Sequence, residues 1–379
     1  MKGTHEVLTP DARARTDAVA EGLYTELTAS PVAEHERNAG PVFALLRSTR
    51  ATTMLVPVSC GGLGTSAQDA VRFQVALGSV APSAAIATAM HHYKIAALSG
   101  AASDGDEHAR TILVDIARGA ALVASGGAES TPGRDLSNLG SHAVREGDGY
   151  RITGIKRPCS LSTSMDTMSL MVELRDSDGS SDGYAQAFVD ANCPGLERRP
   201  FWRSPVFLAA ESHAVSLTDV RVPESRIFPL RGRIGERFAV DCYLWFQLLI
   251  SASYLGVACC VAEATPTGRR SGARGWARAV ADLRSLEQGV LEAAAAVDAK
   301  APVGEQLNLA VRARDRVEDE IGAIGARLLR AAGGGAFAGE SLPTMLTGGL
   351  NAIAFHPPQR GAREGVGLEL LDTDVRERA

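Results

Sequence analysis

The chain has 379 residues, of which 45% are hydrophobic and 22% charged, a balance that is typical of a globular protein and excludes wholesale disorder. At roughly 100–200 residues per domain, two or three domains are expected. Thirty-nine Lys and Arg against 44 Asp and Glu give a net charge of −5, which argues against a protein that coats nucleic acid. The aromatic content of 5% also argues against platforms for stacked bases.

The N-terminal part of the chain, residues 1–119, predicts a helical domain. Pro10 opens a first helix, and Ser66 has Asp69 three residues later, a spacing that resembles a capping box. The Ala-rich run 84–98 predicts a further helix after a proline break. We therefore expect helices to pack together before the first strand of the protein.

The middle of the chain, residues 120–235, predicts a β domain, because short alternating or β-branched stretches stand between turn residues. Long helical patterns return over residues 236–379. A block of strands between two blocks of helices favours an α+β fold over a doubly wound sheet. The chain has no GxGxxG after a strand and no GxxxxGK[ST], so neither nucleotide-binding fingerprint applies.

One segment, Leu244–Ala262, carries no charged residue and is about long enough to cross a bilayer. A helix that is apolar on all sides is equally typical of the core of a large helical domain. We expect the buried core helix. Residues 1–16 lack the apolar stretch of a signal peptide, so we expect neither secretion nor a membrane contact.

The six cysteines form no CxxC pair and no Cys/His spacing of a zinc site, so we expect no metal site. Free thiols of this kind are typical of a reducing compartment, which predicts a cytoplasmic protein.

Five stretches carry a family resemblance. They are VPVSCGGLG (56–64), AESTPGRD (128–135), GYRITGIK (149–156), LTDVRVP (217–223) and YLGVA (254–258). Each is weak alone, but together they resemble the acyl-CoA dehydrogenase superfamily, in that family's order and spacing. The resemblance covers most of the chain. It implies an N-terminal helical domain (1–119), a central β-barrel-like domain (120–235) and a C-terminal four-helix bundle (236–379).

The resemblance also implies a cofactor, FAD with FMN as an alternative, held between the β domain and the bundle. In the family a TEP loop lies against the flavin, and here Ala128, Glu129 and Ser130 stand at or beside that loop. Ser160 falls where the family has a flavin-contacting threonine, with Ser162 nearby, although such hydroxyls can equally form a polar turn.

The family motif that pins the FAD diphosphate is not recognisable in this chain. Arg269 stands where it is expected and could meet a diphosphate, or it could belong to a solvated basic loop. The resemblance further implies a homodimer or homotetramer. We expect it to form through the bundle, because the segment around Gly256 is too apolar for a wet surface.

The departures from the family decide the chemistry. The two positions where the dehydrogenases keep a proton-abstracting glutamate correspond to Pro357 and Phe246, and neither side chain can accept a proton. His356 with its following prolines resembles instead the flavin-dependent monooxygenase branch, which includes the dibenzothiophene monooxygenases. That branch also keeps a histidine on an N-terminal helix, for which His91 and His92 are the candidates.

Three functions remain open from the sequence. The favoured one is a monooxygenase that uses reduced flavin and O₂ on a small organic or carrier-bound substrate, with His356 and His91 or His92 as catalytic residues. Such an enzyme can take its reduced flavin from a separate reductase. The second is a dehydrogenase of an acyl thioester, passing electrons to a partner, whose base has moved to Glu129, Glu340 or Glu364. The third is a protein that keeps the fold for binding alone.

Overall fold

The structure is a computed structural model, and it describes residues 7, 10–129, 139–265, 270–338, 342–361 and 363. Seven described helices precede the strands: α1 Pro10–Val19, α2 Leu23–Ala29, α3 Val32–Arg37, α4 Gly40–Ser48, α5 Ala67–Val80, α6 Pro82–Ser103 and α7 Glu107–Gly119. Five described helices follow the strands: α8 Gly232–Glu263, α9 Arg270–Asp298, α10 Val303–Ala332, α11 Gly334–Ala338 and α12 Leu342–Gly349. A 3₁₀ segment, Leu350–Phe355, continues from α12.

The starts of two helices follow from short polar side chains. The Ser66 hydroxyl accepts a hydrogen bond from the backbone N–H of Asp69 at 3.1 Å, and the Asp106 carboxylate accepts one from Ala109 at 2.7 Å. Each bond satisfies a backbone donor that has no partner within its own helix. Helix α6 begins at Pro82, where the missing N–H is not needed.

The strands form one mixed sheet. Its strands are β1 Val123–Gly126, β2 His142–Glu146, β3 Gly149–Cys159, β4 Thr167–Arg175, β5 Ser181–Asp190, β6 Leu196–Arg199, β7 His213–Pro223 and β8 Ile227–Pro229. The strand order is β6-β7-β3-β2-β4-β5-β8, with β1 added beside β4. The pairs β1–β4 and β2–β4 are parallel and the other pairs are antiparallel.

Helix α8 is the centre of the helical packing. It contacts α5 and α6 on one side and α9 and α10 on another, so its apolar surface is covered within the chain. In its most apolar 18-residue window, 89% of the residues are buried, and this confirms the expected core helix at 244–262. The same burial removes the argument that this segment must face another subunit, because its neighbours already belong to the same chain.

Two glycines set the distance between α5 and α8. A Cβ on Gly256 would lie 2.4 Å from the Val75 carbonyl oxygen and 2.7 Å from the Gly78 Cα. The obstacle is backbone, which cannot rotate away as a side chain would. The helices can approach this closely only because Gly78 and Gly256 face each other.

We expect Gly256→Ala to lower the free energy of unfolding by about 1–3 kcal/mol, the usual effect of overpacking a core. Gly275→Ala is the control, because a Cβ there meets nothing within 4 Å. Alanine at that helical position should stabilise by up to about 1 kcal/mol. Urea unfolding of both variants measures the difference, and equal midpoints would show that the two helices can separate freely.

Candidate active site

A cavity of about 200 Å³ lies where α6, the sheet, α8 and the segment 352–357 meet. Helix α6 contributes Ile86, Met90 and Tyr93, which stand on one face because they are spaced by four and three residues. Helix α8 contributes Phe246 and Tyr254. Both helices are fixed by the core packing, so the walls of the cavity stand on rigid elements.

The described walls of the cavity carry no formal charge, since they include no Asp, Glu, Lys or Arg. The polar groups are the hydroxyls of Tyr93, Ser125, Ser160, Ser212 and Tyr254, together with the indole N–H of Trp202 and the imidazole of His356. Apolar walls with a few placed polar groups are typical of a small-molecule or cofactor site.

His356 is held in the cavity by aromatic side chains. Its Nε2 lies 3.0 Å from the Tyr254 hydroxyl, and its ring centroid lies 6.2 Å from that of Phe246. Burial, and after it the positive charge of Arg314, lowers the pKa of His356 to about 3. Burial also raises the pKa of Tyr254 far above its usual range. At neutral pH the pair is therefore an uncharged imidazole and an uncharged phenol.

The positions of the two missing glutamates both lie at the cavity. Phe246 and Pro357 are part of its wall, so the place where a dehydrogenase would keep its base holds an aromatic ring or a proline. Among the described lining residues, only uncharged side chains stand near His356.

Two of the residues predicted to contact the cofactor, Ala128 and Ser160, lie in the cavity wall. The Ala128 carbonyl accepts a hydrogen bond from the Arg157 N–H at 2.8 Å, which ties the loop after β1 to β3. The Ser160 and Ser212 hydroxyls lie 2.9 Å apart, so one of them can turn toward a ligand while the other keeps the pair.

Glu129 and Ser162 lie away from the cavity wall. The Ser162 hydroxyl donates to the Glu211 carbonyl at 2.6 Å. The Glu129 carboxylate is nearly buried and accepts from Lys156 at 2.7 Å and from the Gly140 N–H at 2.7 Å. Burial alone would raise the pKa of Glu129, but these hydrogen bonds outweigh it and lower the pKa to about 2. A carboxylate held in this way is a poor proton acceptor.

The two adjacent histidines on α6 also lie outside the cavity wall. His91 Nε2 donates to the Thr52 carbonyl at 2.7 Å, and His91 Nδ1 accepts from the Val123 N–H at 3.0 Å. His91 thus links the N-terminal helices to β1, and burial lowers its pKa to about 4. His92 is buried against Phe73, with its pKa well below the usual range for the same reason. Their neighbours Met90 and Tyr93 reach the cavity instead.

Ser130 and Arg269, and the alternative bases Glu340 and Glu364, lie outside the described residues. The most informative residue that sequence reasoning missed is Tyr254. A lone phenol in the charge-free segment 244–262 was the available signal, since a buried tyrosine hydroxyl normally finds a partner. Ser125 and Ser212 gave no such signal, because serine is common in turns and strands.

No family model matches the chain. It is, however, 33% identical over 358 residues to the isobutylamine N-hydroxylase of Streptomyces viridifaciens, a match that covers 92% of this chain and 94% of that protein. The chain belongs to the flavin-dependent monooxygenases of the acyl-CoA dehydrogenase superfamily. The resemblance stated from the sequence is confirmed, and so is the favoured function, an oxidoreductase that uses reduced flavin and O₂.

Solved structures share the fold of this monooxygenase. The dibenzothiophene monooxygenase TdsC of Paenibacillus sp. A11-2 superposes with a TM-score of 0.75 at 18% identity, over 92% of this chain and 94% of that one. XiaF from Streptomyces sp., solved with FADH2 and glycerol, superposes with a TM-score of 0.74 at 20% identity, over 96% of each chain. The fold is therefore an acyl-CoA dehydrogenase-like α+β fold.

The residues of the monooxygenase cavity fit a flavin. The isoalloxazine ring is flat and largely apolar, with hydrogen-bonding groups along its edges. The cavity offers apolar walls and the Ser160–Ser212 hydroxyl pair, and small residues, Gly127 and Ala128, keep part of its wall open.

The ion pair between Glu129 and Lys156 generates a stability prediction. Lys156 is fully buried and its ammonium lies 2.7 Å from Glu129. We expect Glu129→Gln to cost about 3–5 kcal/mol of unfolding free energy at pH 7, because it leaves the lysine charge uncompensated. In the unchanged protein this contribution is present above the unfolded pKa of about 4.3 and is lost as the pH falls toward about 2. Urea unfolding at pH 7 and pH 3 measures both effects. A stability equal to wild type at pH 7 would contradict the prediction.

Proposed function

We propose that this monooxygenase hydroxylates the nitrogen of a small aliphatic primary amine. The observation that carries the proposal is the neutral Tyr254–His356 pair in a cavity whose described walls have no charge. The relative that is an isobutylamine N-hydroxylase supports the substrate class, because its match covers nearly the whole of both chains.

The lack of charged side chains in the described cavity wall dictates the protonation state of the substrate that binds. An alkylammonium ion would lose its hydration without meeting a carboxylate among the described lining residues, which is costly. The free amine carries no such cost and exposes the nitrogen lone pair that must form the N–O bond. The enzyme therefore selects the minor, unprotonated form of the amine at neutral pH.

Bound reduced flavin supplies two electrons and activates O₂. The net reaction joins one oxygen atom to the amine nitrogen and releases the other as water. The nitrogen must lose one proton when the N–O bond has formed. A neutral imidazole has one accepting and one donating nitrogen, so the His356–Tyr254 pair can hold an oxygen by a hydrogen bond and pass that proton on to the oxygen that leaves as water, without storing it. Phe246 and Phe207 exclude water from the same space.

We further propose FAD as the preferred flavin with FMN as an alternative, because related folds are solved with either cofactor. Ala128, Ser130, Ser160 and Arg269 are the proposed contacts of the cofactor. The hydrogen bonds of Glu129 and Ser162 assign them instead to holding the loops around it.

Several broader predictions stand beside this proposal. A separate reductase would supply the reduced flavin, and the six free cysteines support a cytoplasmic site of action. A homodimer or homotetramer remains our prediction for the assembly. We propose the segments 1–119, 120–235 and 236–379 as three units, helical, barrel-like and four-helix bundle, that meet at the cavity.

We expect hydroxylamine to form from isobutylamine when reduced FAD and O₂ are supplied, with reduced FMN as the parallel assay. Below the amine pKa, which is about 10.4 by analogy with lysine, kcat/KM should rise about tenfold per pH unit. His356 stays neutral throughout this range because its pKa of about 3 lies far below it. Isobutyramide, which has no basic nitrogen, is the control substrate. A flat pH profile between pH 6.5 and 8.5, or anaerobic oxidation of a thioester, would contradict the proposal.

We expect His356→Ala to lower hydroxylamine formation by about 10²–10⁴-fold, the usual contribution of one acid–base group. Tyr254→Phe removes only the hydrogen bond to that imidazole and should have a smaller effect. Flavin binding should change little and hydrogen peroxide release should rise. His108→Ala is the matched control, because that histidine is half-buried outside the described cavity wall and its Nε2 donates to the Ser225 carbonyl at 2.8 Å. Product yields unchanged in His356→Ala would exclude the histidine from the chemistry.

A further inference from the structure

The loop that carries His356 is bonded on both sides to buried arginines. On its N-terminal side, the Ile353 carbonyl accepts the His356 N–H at 3.2 Å and the Arg314 Nη2–H at 2.5 Å. On its C-terminal side, the Pro358 carbonyl accepts the Arg363 Nη1–H at 2.9 Å. Each guanidinium thus holds a backbone carbonyl within three residues of the imidazole.

Both arginines are themselves fixed to helix α10. Arg314 belongs to that helix, and Arg363 pairs with two of its acidic residues, Asp315 at 2.6 Å and Glu318 at 2.8 Å. Glu318 also lies 3.1 Å from the Arg314 guanidinium. Two arginines and two carboxylates therefore meet in one network, and Arg360 joins it through Asp315 at 3.8 Å.

Burial makes this network unusual. The side chains of Arg314 and Arg363 are both 0% exposed, although each carries a permanent charge. Buried ion pairs of this kind add little net stability compared with apolar packing, because desolvation offsets the attraction. Apolar side chains would be enough to anchor the C-terminal part of the chain to α10, so anchoring alone does not explain the two buried arginines. A planar guanidinium donates in fixed directions, which suits each arginine to hold one carbonyl of the histidine loop at a set position.

We propose that Arg314 and Arg363 are positioning residues that clamp the segment from Ile353 to Pro358 and so hold the His356 imidazole against Tyr254 in the cavity. The proposal rests on the proposed function for its effect on turnover, but not for the position of the ring. A displacement of about 1 Å at a reacting group can cost about 10²-fold, so a loose loop would uncouple oxygen use from product formation.

The two properties of Arg314, shape and charge, can be separated by substitution. Arg314→Lys keeps the charge but loses the planar fork, so it should loosen the loop. Arg363→Lys repeats the loss of shape at the other end of the loop. Arg327→Lys is the control, because Arg327 is also on α10 but pairs with Asp282 of α9 at 2.6 Å.

The expected result in turnover is a drop of about tenfold in hydroxylamine formed per O₂ consumed for Arg314→Lys and for Arg363→Lys, with the balance appearing as peroxide. KM for the amine should be unchanged in both variants. The Arg327→Lys control should form as much hydroxylamine per O₂ consumed as the unchanged protein. In a double-mutant cycle, His356→Ala with Arg314→Lys should be no worse than His356→Ala alone, since Arg314 acts through the histidine. The proposal would be overturned if the losses of turnover in the double-mutant cycle were additive. It would also be overturned if both lysine variants formed as much hydroxylamine per O₂ consumed as the unchanged protein.

A second readout needs no substrate and separates this proposal from the proposed function. The His356 imidazole is titrated by NMR, with His356→Gln to assign its signal. Its pKa should rise in Arg314→Lys and in Arg363→Lys, because a loosened loop exposes the imidazole to more water, and should stay low in Arg327→Lys. If the titration follows this order while no amine is hydroxylated, the clamp stands and the substrate assignment fails. An unchanged titration in both lysine variants overturns the clamp.

Discussion

The burial of helix α8 is the constraint on which the rest of the structure depends. A helix with no charged residue from 244 to 262 must be covered on all sides, and it is covered by α5 and α6 from one side and by α9 and α10 from another. This arrangement fixes Phe246 and Tyr254, which α8 presents to the cavity. The position of the site is thus a consequence of core packing, with Gly78 and Gly256 allowing the closest approach.

Charge is kept out of the described cavity walls and placed just behind them. Lys156 is compensated by Glu129, and Arg314 by Glu318, in each case by a buried pair. The cavity itself holds only neutral groups, because burial keeps the imidazole of His356 unprotonated. A neutral space of this kind offers no counter-charge to an ion, which is why we propose an uncharged substrate.

The same fold supports either dehydrogenation or oxygenation, and the difference lies in a few side chains at one cavity. Where the dehydrogenases of this superfamily have a glutamate, this chain has Phe246 and Pro357, and both line the cavity. Loss of the carboxylate removes the base for carbon acids. The histidine beside these positions provides instead an uncharged group that can form hydrogen bonds in the cavity.

The sequence by itself determined the α+β class, the superfamily and the buried core helix, and it singled out His356 as a candidate whose role stays a prediction. These follow from periodicity, from ordered motifs and from a missing glutamate, all of which are local in the chain. The sequence did not determine which side chains come together at the cavity. His91 and His92 are adjacent to the residues that reach the cavity, but the rotation of α6 turns Met90 and Tyr93 inward instead.

Only the tertiary structure brought Tyr254 within 3.0 Å of His356, although 102 positions separate them in the chain. It also decided that Glu129 is the partner of a buried lysine, and that Arg314 holds the loop of the histidine. Hydrogen bonds between distant residues depend on how helices and strands pack, and no spacing within one element records that. The identity of the side chains is written in the sequence, whereas their partners are decided by the packing around α8.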